Sequence, residues 1–255
     1  MHNVSHLHPK FSIITVTYNA AKVLEETIQS VISQTYKNVE YIIVDGRSKD
    51  TTLQITDKYK KWIHRLVSEP DKGLYDAMNQ GIKAATGDVV GLLNSDDFYT
   101  SFDVLMAIVR QFERTPEIDA VYGDVHYVDW DDTTRLKRYY SSRLFSPGWM
   151  RLGFMPAHPS FYCRKSVYDR FRLDTSNIVE WRGEKDCAYF NTSYKIAADF
   201  ECLLRMLYIG RIRTEYIWKD FVTMRHGGAS SCGAKAHKQI NRDHLRALKE
   251  NGVYS

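Results

Sequence analysis

Short β-branched runs alternate with helical stripes through the first half of the chain, and this alternation limits the possible folds more than any other feature. Phe11 to Thr17 reads FSIITVT and Val39 to Val44 reads VEYIIV. Both have the length and near-continuous hydrophobicity of strands buried on two faces. Ile63 to Ser68 and Asp88 to Leu93 read as a third and a fourth strand. Between the first two, Ala21, Leu24, Ile28, Val31 and Ile32 share one helical face, with Asn19 placed to cap it. A second helix starts at Ser48 or Asp50. Leu74, Met78, Gly81, Ile82 and Ala85 form the stripe of a third, with Gly87 placed to end it. Val104, Leu105, Ile108, Val109 and Phe112 mark a fourth. This order predicts an α/β fold with a mostly parallel central sheet and helices on both faces.

The second half is less regular. Asp119 to Val128 and Ser160 to Cys163 read as strands, and Phe171 to Lys195 as a loop or insertion. Phe200, Leu203, Leu204 and Leu207 define a helix that Gly210 ends. Ala234 to Asn251 reads as a basic amphipathic helix.

A length of 255 residues suits one large domain or two small ones, and no apolar run approaches the roughly 20 residues of a membrane span. The first ten residues are polar and read as a disordered tail rather than a signal peptide. Cys163, Cys187, Cys202 and Cys232 include no C-x-x-C pair, so reduced thiols in a cytosolic protein are expected rather than a zinc site or disulfides. The net charge of +4 is uneven: Arg135 to Arg172 carries nine Lys or Arg against Asp169 alone, leaving the remainder at −4. Such a block suits an anionic partner or is simply a solvated face.

In open parallel sheets ligands bind beyond the carboxyl ends of the strands. The residues that follow the predicted strands are Tyr18 and Asn19, Asp45 and Gly46, Glu69 to Asp71, and Asn94 to Asp97. Each alone is an ordinary turn or cap; together they favour a site. Neither G-x-G-x-x-G nor G-x-x-x-x-G-K-[ST] is present, which disfavours dinucleotide binding and P-loop hydrolysis. Adjacent carboxylates, as in Asn94-Ser95-Asp96-Asp97, suit a hard cation that also takes phosphate oxygens. Spacing alone leaves open the alternative that Ser95 or Asp96 caps the next helix.

The runs FSIITVTYN, VEYIIVDGRSKDTT, SEPDKGLYDAMNQGI and TGDVVGLLNSDDFY, in this order, resemble the family 2 glycosyltransferases of the GT-A fold, in particular bacterial enzymes of O-antigen, capsule and exopolysaccharide synthesis. The match is strongest over residues 11 to 123; MPAHPSFY, YKIAADFECLLR and MRHGGAS extend it over most of the chain. The resemblance implies residue roles. Tyr18 and Asp45 match the nucleobase contacts, Thr17 is counted with this donor site, and Asp71 borders the nucleotide. Asp96 matches the ribose contact and Asp97 the ligand for Mn²⁺ or Mg²⁺. Asp199 matches the catalytic base, whose bland alternative is a first-turn helix acid. Gly227 and Gly228 match a flexible loop near the diphosphate, and His158 an acceptor contact, whose alternative is a buried, hydrogen-bonded histidine. Lys72 and Arg225 are further phosphate candidates or simply solvated charges, and His226 is within reach of the metal or diphosphate, although a coincidence of neighbouring residues is the preferred reading. Arg47 departs from the family, which has a small residue there, and the stretch from Asn177 to Phe190 is longer than usual.

The resulting expectation is a metal-dependent inverting transferase that moves a hexose from a UDP-sugar to a saccharide or lipid-linked saccharide. Its donor half would span 11–123, its acceptor half 124–230 and a basic helix 231–255, after a tail at 1–10. It would be cytoplasmic, with salt-sensitive contact to anionic membrane through the basic block and the C-terminal helix. A nucleotidyltransferase lacks its Gly-rich, Lys-bearing loop here. A nucleic-acid-binding protein built on residues 135–172 lacks an accompanying motif, so no nucleic acid is expected as a partner.

Overall fold

The computed structural model describes residues 8–174, 188–227 and 233–253. One mixed sheet runs through both halves of the chain. Its first part is parallel: β3 (Arg65–Ser68), β2 (Val39–Asp45), β1 (Phe11–Thr17) and β4 (Val89–Leu92) lie side by side in that order. The sheet continues through β8 (Phe161–Arg164), β6 (Ala120–Val128), β9 (Thr214–Arg225) and β5 (Phe98–Tyr99), and β7 (Leu136–Tyr140) joins β6. Here only β6 and β9 pair in parallel; the pairings of β4 with β8, β8 with β6, β6 with β7 and β9 with β5 are antiparallel. The continuous parallel run, expected for most of the sheet, thus ends at β4.

Successive side chains of a strand face opposite ways, and the two cores follow from that. Ile14, Val16, Ile42, Val44, Val90 and Leu92 face α3 (Leu74–Ala84) and α6 (Ala198–Leu203). Phe11, Ile13, Tyr41, Ile43 and Val89 face α1 (Leu24–Ile32) and α4 (Val104–Arg114). The other helices are α2 (Thr52–Lys58), α5 (Lys165–Arg170) and α7 (Gly233–Glu250).

Some local expectations are revised. Asn19 does not cap α1, which begins at Leu24 after an intervening turn. Its backbone is left-handed at φ +49°, and its Oδ1 accepts the Lys49 N–H at 2.8 Å, tying the loop after β1 to the loop after β2. α3 ends at Ala84, short of Gly87. Residues 8–10, assigned to the tail, are held: the Lys10 N–H donates to Asp88 at 2.8 Å and the Lys10 ammonium to Glu40 at 3.1 Å. β5, β7 and β9 were not anticipated. Residues 175–187, most of the unexplained insertion, lie outside the described residues, as do Cys187 and Cys232. Cys163 and Cys202 are free and buried.

Candidate functional site

The turn from Asn94 to Asp97 joins β4 to β5 and is fixed from α1. Thr27 Oγ1 is 2.7 Å from the carbonyl oxygens of both Ser95 and Asp97. Arg225, at the end of β9, donates to the Asp96 carbonyl at 2.8 Å, pairs with Glu26 and lies over the Phe98 ring. α4 starts at Val104 after Asp103, so neither Ser95 nor Asp96 caps it, and their carboxylate and hydroxyl groups are left for other work. Asp97 is 2% exposed, so it is not a surface carboxylate. Burial, and then the adjacent Asp96, push its pKa well above the usual carboxylate range. Burial also raises Asp96, against the pull of Arg225. The Asn94 amide donates to Asp97 Oδ2 at 3.2 Å, while Asn94 Oδ1 is buried without a partner among the described residues.

Two carboxylates that resist ionisation beside an orphaned carbonyl oxygen form an oxygen-rich corner that a hard cation would relieve. No cluster of three or more His, Cys, Asp or Glu side chains that could hold a metal by itself is present among the described residues. Arg225 is buried in contacts of its own rather than free for a phosphate, and His226 is exposed.

At the neighbouring strand ends, Thr17 closes β1 with a buried Oγ1 that has no partner among the described residues. Tyr18, next to it, is exposed. Asp45 closes β2, fully buried, and accepts the Ser48 N–H at 3.0 Å and the Ser68 hydroxyl at 2.9 Å. Asp71 packs onto the following turn so closely that a Cβ at Gly46 would sit 2.4 Å from its Oδ2, which explains the glycine. Burial raises the Asp71 pKa, and Asp76 and Asp45 add to the rise. Arg47 has φ +62°, a left-handed conformation that costs a residue bearing a Cβ about 1–2 kcal/mol and that glycine adopts freely.

The third part comes from the second half of the chain. Asp199 lies in the first turn of α6, and its Oδ1 accepts the Phe200 N–H at 2.9 Å. Tyr75 of α3 places its hydroxyl 3.4 Å from the same oxygen and also donates to the Ile196 carbonyl. Phe190 stacks on Tyr75 and meets His158 edge-on, both with centroids 5.9 Å apart. His158 is buried and its Nε2 has no partner among the described residues; burial lowers its pKa, and Asp199 opposes the drop. Tyr127 of β6 is pushed up by burial, with the charges of Asp97 and Asp199 adding to the rise. α7 supports α6 from outside: Asp243 accepts the Ile196 and Ala197 N–H groups at 3.0 and 3.3 Å, and His244 stacks on Phe200 at 3.9 Å.

The fold therefore gathers Thr17, Asp45, Asp71, Asp96 and Asp97 along one strand edge, and Asp199 and His158 beside it. Gly227 follows β9 at φ +136°, with Trp130 3.6 Å from where its Cβ would be; Gly228 lies outside the described residues. Tyr75, Tyr127, Phe190 and Asp243 were not anticipated. Asp243 left one trace, an acid at a buried position of a basic helix. The basic block is dispersed. Lys137 pairs with Asp129 at 2.7 Å and Lys165 with Asp169 at 2.6 Å, Arg164 donates to the Ile118 and Pro116 carbonyls, and Arg143 stacks on Trp218 at 3.9 Å.

The strand-end carboxylates and the acid-bearing helix thus stand together at one edge of an α/β sheet, where open sheets of this kind bind ligands. The profile described as "Glycosyl transferase family 2" matches residues 12–171. The chain belongs to this family. A Mycobacterium bovis protein described as a PGL/p-HBAD biosynthesis glycosyltransferase is 38% identical over 123 residues, 46% of this chain and 47% of that protein. An uncharacterised Nostoc sp. glycosyltransferase is 28% identical over 200 residues, covering 72% of this chain and 60% of its own length. The chain spans about half the length of the mycobacterial relative. Among solved structures, residues 1–349 of S. aureus TarS in complex with UDP-GlcNAc superpose with a TM-score of 0.70 at 18% identity, over 94% of this chain and 66% of that 1–349 chain. The mannosyltransferase PcManGT from Pyrobaculum calidifontis, in complex with GDP-Man and Mn²⁺, gives 0.65 at 19% identity, over 95% and 64%. These neighbours establish the GT-A fold.

Proposed function

We propose that the protein transfers a hexose from a UDP-sugar to a hydroxyl of a membrane-borne, lipid-linked saccharide, with inversion, at the cytoplasmic face of a membrane. One observation carries this reading. Five buried side-chain polar atoms have no partner among the described residues, and three of them, on Thr17, Asn94 and His158, lie in the site. Buried polar groups are normally satisfied, so a group left unpaired in a binding site awaits a ligand.

Asp97, with Asn94 beside it, would hold Mn²⁺ or Mg²⁺, which when bound supplies charge neutralisation at the donor diphosphate. Asp96 takes the ribose, and Thr17, Tyr18, Asp45 and Asp71 border the base. Gly227, with Gly228 after it, lies by the diphosphate. Asp199 receives the acceptor hydroxyl proton as that oxygen attacks the anomeric carbon and UDP departs. Tyr75 holds the Asp199 carboxylate from one side. His158 stays neutral through burial and contacts an acceptor hydroxyl. The UDP-GlcNAc complex of TarS and the Mn²⁺ complex of PcManGT support a metal-assisted nucleotide-sugar donor by analogy.

The test is a panel of UDP-hexoses and GDP-mannose, offered with lipid-linked and soluble saccharides, with Mn²⁺ or with chelator. Release of UDP and a product with inverted anomeric configuration by NMR are expected. Retained configuration, or undiminished transfer in chelator, would overturn the reading.

A further inference from the structure

Two unusual surfaces meet near α6. The first is the segment from Arg143 to Phe154. It holds the 3₁₀-helix Pro147–Leu152 and contains no acid. Met150 is fully buried and Phe145 packs edge-on against Tyr122 at 5.8 Å, so this segment is anchored to the core. Its remaining apolar side chains point outward: Leu144 is 82% exposed, Leu152 70%, Phe154 53% and Trp149 50%. Trp149 and Phe154 are in edge contact at 5.9 Å, making one projecting aromatic pair. Scattered exposed apolar residues are ordinary, but four within eleven residues on an anchored turn form a patch.

The second surface is α7. Lys235, Lys238, Arg242, Leu245 and Lys249 are all exposed and recur at intervals of three and four, so they form one stripe. No acid shares that stripe. Asp243 is buried, and Glu250 pairs with Arg246 at 2.7 Å. The two surfaces abut, because a Cβ at Gly153 would lie 3.0 Å from His244 Nδ1 of α7.

We infer that the projecting turn 144–154 and the cationic stripe of α7 together form a docking surface for an anionic lipid bilayer. Apolar side chains headed by Trp, set beside unpaired Lys and Arg, match the interfacial region of such a membrane: the rings enter the headgroup boundary and the cations meet the phosphates. The charge therefore comes from α7 rather than from the block at 135–172, whose cations are largely paired or stacked. The inference rests on the proposed membrane-borne acceptor for its purpose. α7 also carries Asp243 and His244, which hold the helix of Asp199, so a docked membrane would lie beside the acceptor site.

The experiment is co-sedimentation of the whole chain with vesicles of phosphatidylcholine alone or mixed with phosphatidylglycerol, at low salt and at about 1 M, where the Debye length is about 3 Å. Binding to the mixed vesicles at low salt, lost at high salt, is expected. Lys238→Gln with Arg242→Gln should weaken it about 30-fold. Trp149→Ser with Leu152→Ser should weaken it at least about tenfold. All four positions are exposed, and thermal melting checks that the variants fold; Leu144→Ser serves as the alternative should Trp149→Ser fail. Absence of binding to mixed vesicles would overturn the inference. So would binding that both paired variants retain, or vesicle binding that the Ser variants leave unchanged while duplex DNA competes for the same cations. Transfer to a soluble saccharide, measured on the same preparations, tests the catalytic reading separately. Vesicle binding without transfer to any lipid-linked saccharide would overturn that acceptor and leave the docking surface standing.

Discussion

In the parallel part of the sheet each site residue follows its strand directly. Thr17 ends β1, Asp45 ends β2, and Asn94 to Asp97 follow β4. In the antiparallel part the site is assembled from a helix, a 3₁₀ turn, a loop and a strand, which contribute Asp199, His158, Phe190 and Tyr127. The first arrangement is set by chain direction, since parallel strands all bring their carboxyl ends to one edge. The second is set by packing: Asn79 of α3 donates to the Phe190 carbonyl at 2.9 Å and accepts the Tyr189 and Phe190 N–H groups, bringing Phe190 against Tyr75 and His158. Substitutions at strand ends should therefore act on donor and metal binding, whereas those in the second part should act on the acceptor and the transfer step.

The largest expected effect breaks that rule if it fails. Asp199→Asn should lower transfer about 10²- to 10⁴-fold, the usual cost of losing a general base. The amide oxygen can still accept the Phe200 N–H, so melting temperature and UDP-sugar affinity should stay near wild type. Isothermal titration with the donor and single-turnover kinetics separate the two. Lost donor affinity with retained turnover would move Asp199 to the donor site.

Next comes Asp97→Asn. Metal-dependent transfer should fall by more than the ~10–100-fold typical of an outer-shell partner. Stability should move the other way. A buried carboxyl with a raised pKa costs stability when ionised, and the amide removes that charge without changing shape. The variant should therefore melt higher at pH 7 without metal. Its advantage should shrink as pH falls through the raised pKa and vanish below the ordinary aspartate value. A lower melting temperature at pH 7 would show that Asp97 is ionised and well solvated in the metal-free protein.

The same contrast explains what was legible in the sequence. β1, β2 and β4 announce themselves because both their faces are buried, so their sequences are continuously apolar. β9 is mostly half-buried, and its sequence TEYIWKDFVTMR mixes charged and apolar residues; β7 is exposed and β5 has two residues. Asp45, Asp96 and Asp97 were visible by position after a strand. Tyr75, Tyr127 and Phe190 were not, because their place in the site depends on contacts between distant segments. Asp199 was visible through family resemblance alone.

His158 sharpens the comparison at smaller scale. Its orphaned Nε2 is one hydrogen bond's worth of acceptor recognition, so His158→Phe should raise the acceptor KM by roughly 2- to 10-fold with the donor KM unchanged. The new ring can keep the edge contact with Phe190, and no buried nitrogen is left unpaired, so stability should hold. A change confined to donor KM would place His158 on the other side of the cleft.

The smallest effect on activity is expected at Glu40, which tests the parallel half away from the site. Its carboxylate is buried, which alone would raise its pKa, yet Ser12, Thr86 and Lys10 donate to it and bring it down to about 2. Thr86 gives its N–H at 2.8 Å and its hydroxyl at 2.6 Å, and these bonds tie β2 to the chain between α3 and β4. Glu40→Gln turns one acceptor oxygen into a donor that faces donors, and should cost on the order of 1.5–3 kcal/mol at neutral pH. A depressed folded-state pKa stabilises above the unfolded value and is lost as pH falls through the folded one. The stability gap between wild type and variant should therefore be full above the ordinary glutamate value of 4.5 and close as pH falls toward about 2. Denaturant melts of both proteins across that range measure the gap, and the difference between them cancels the other carboxylates. Transfer rates at neutral pH should be equal, since Glu40 lies at the start of β2 and the site lies at its end. A gap that does not change with pH would mean that Glu40 acts through packing rather than charge.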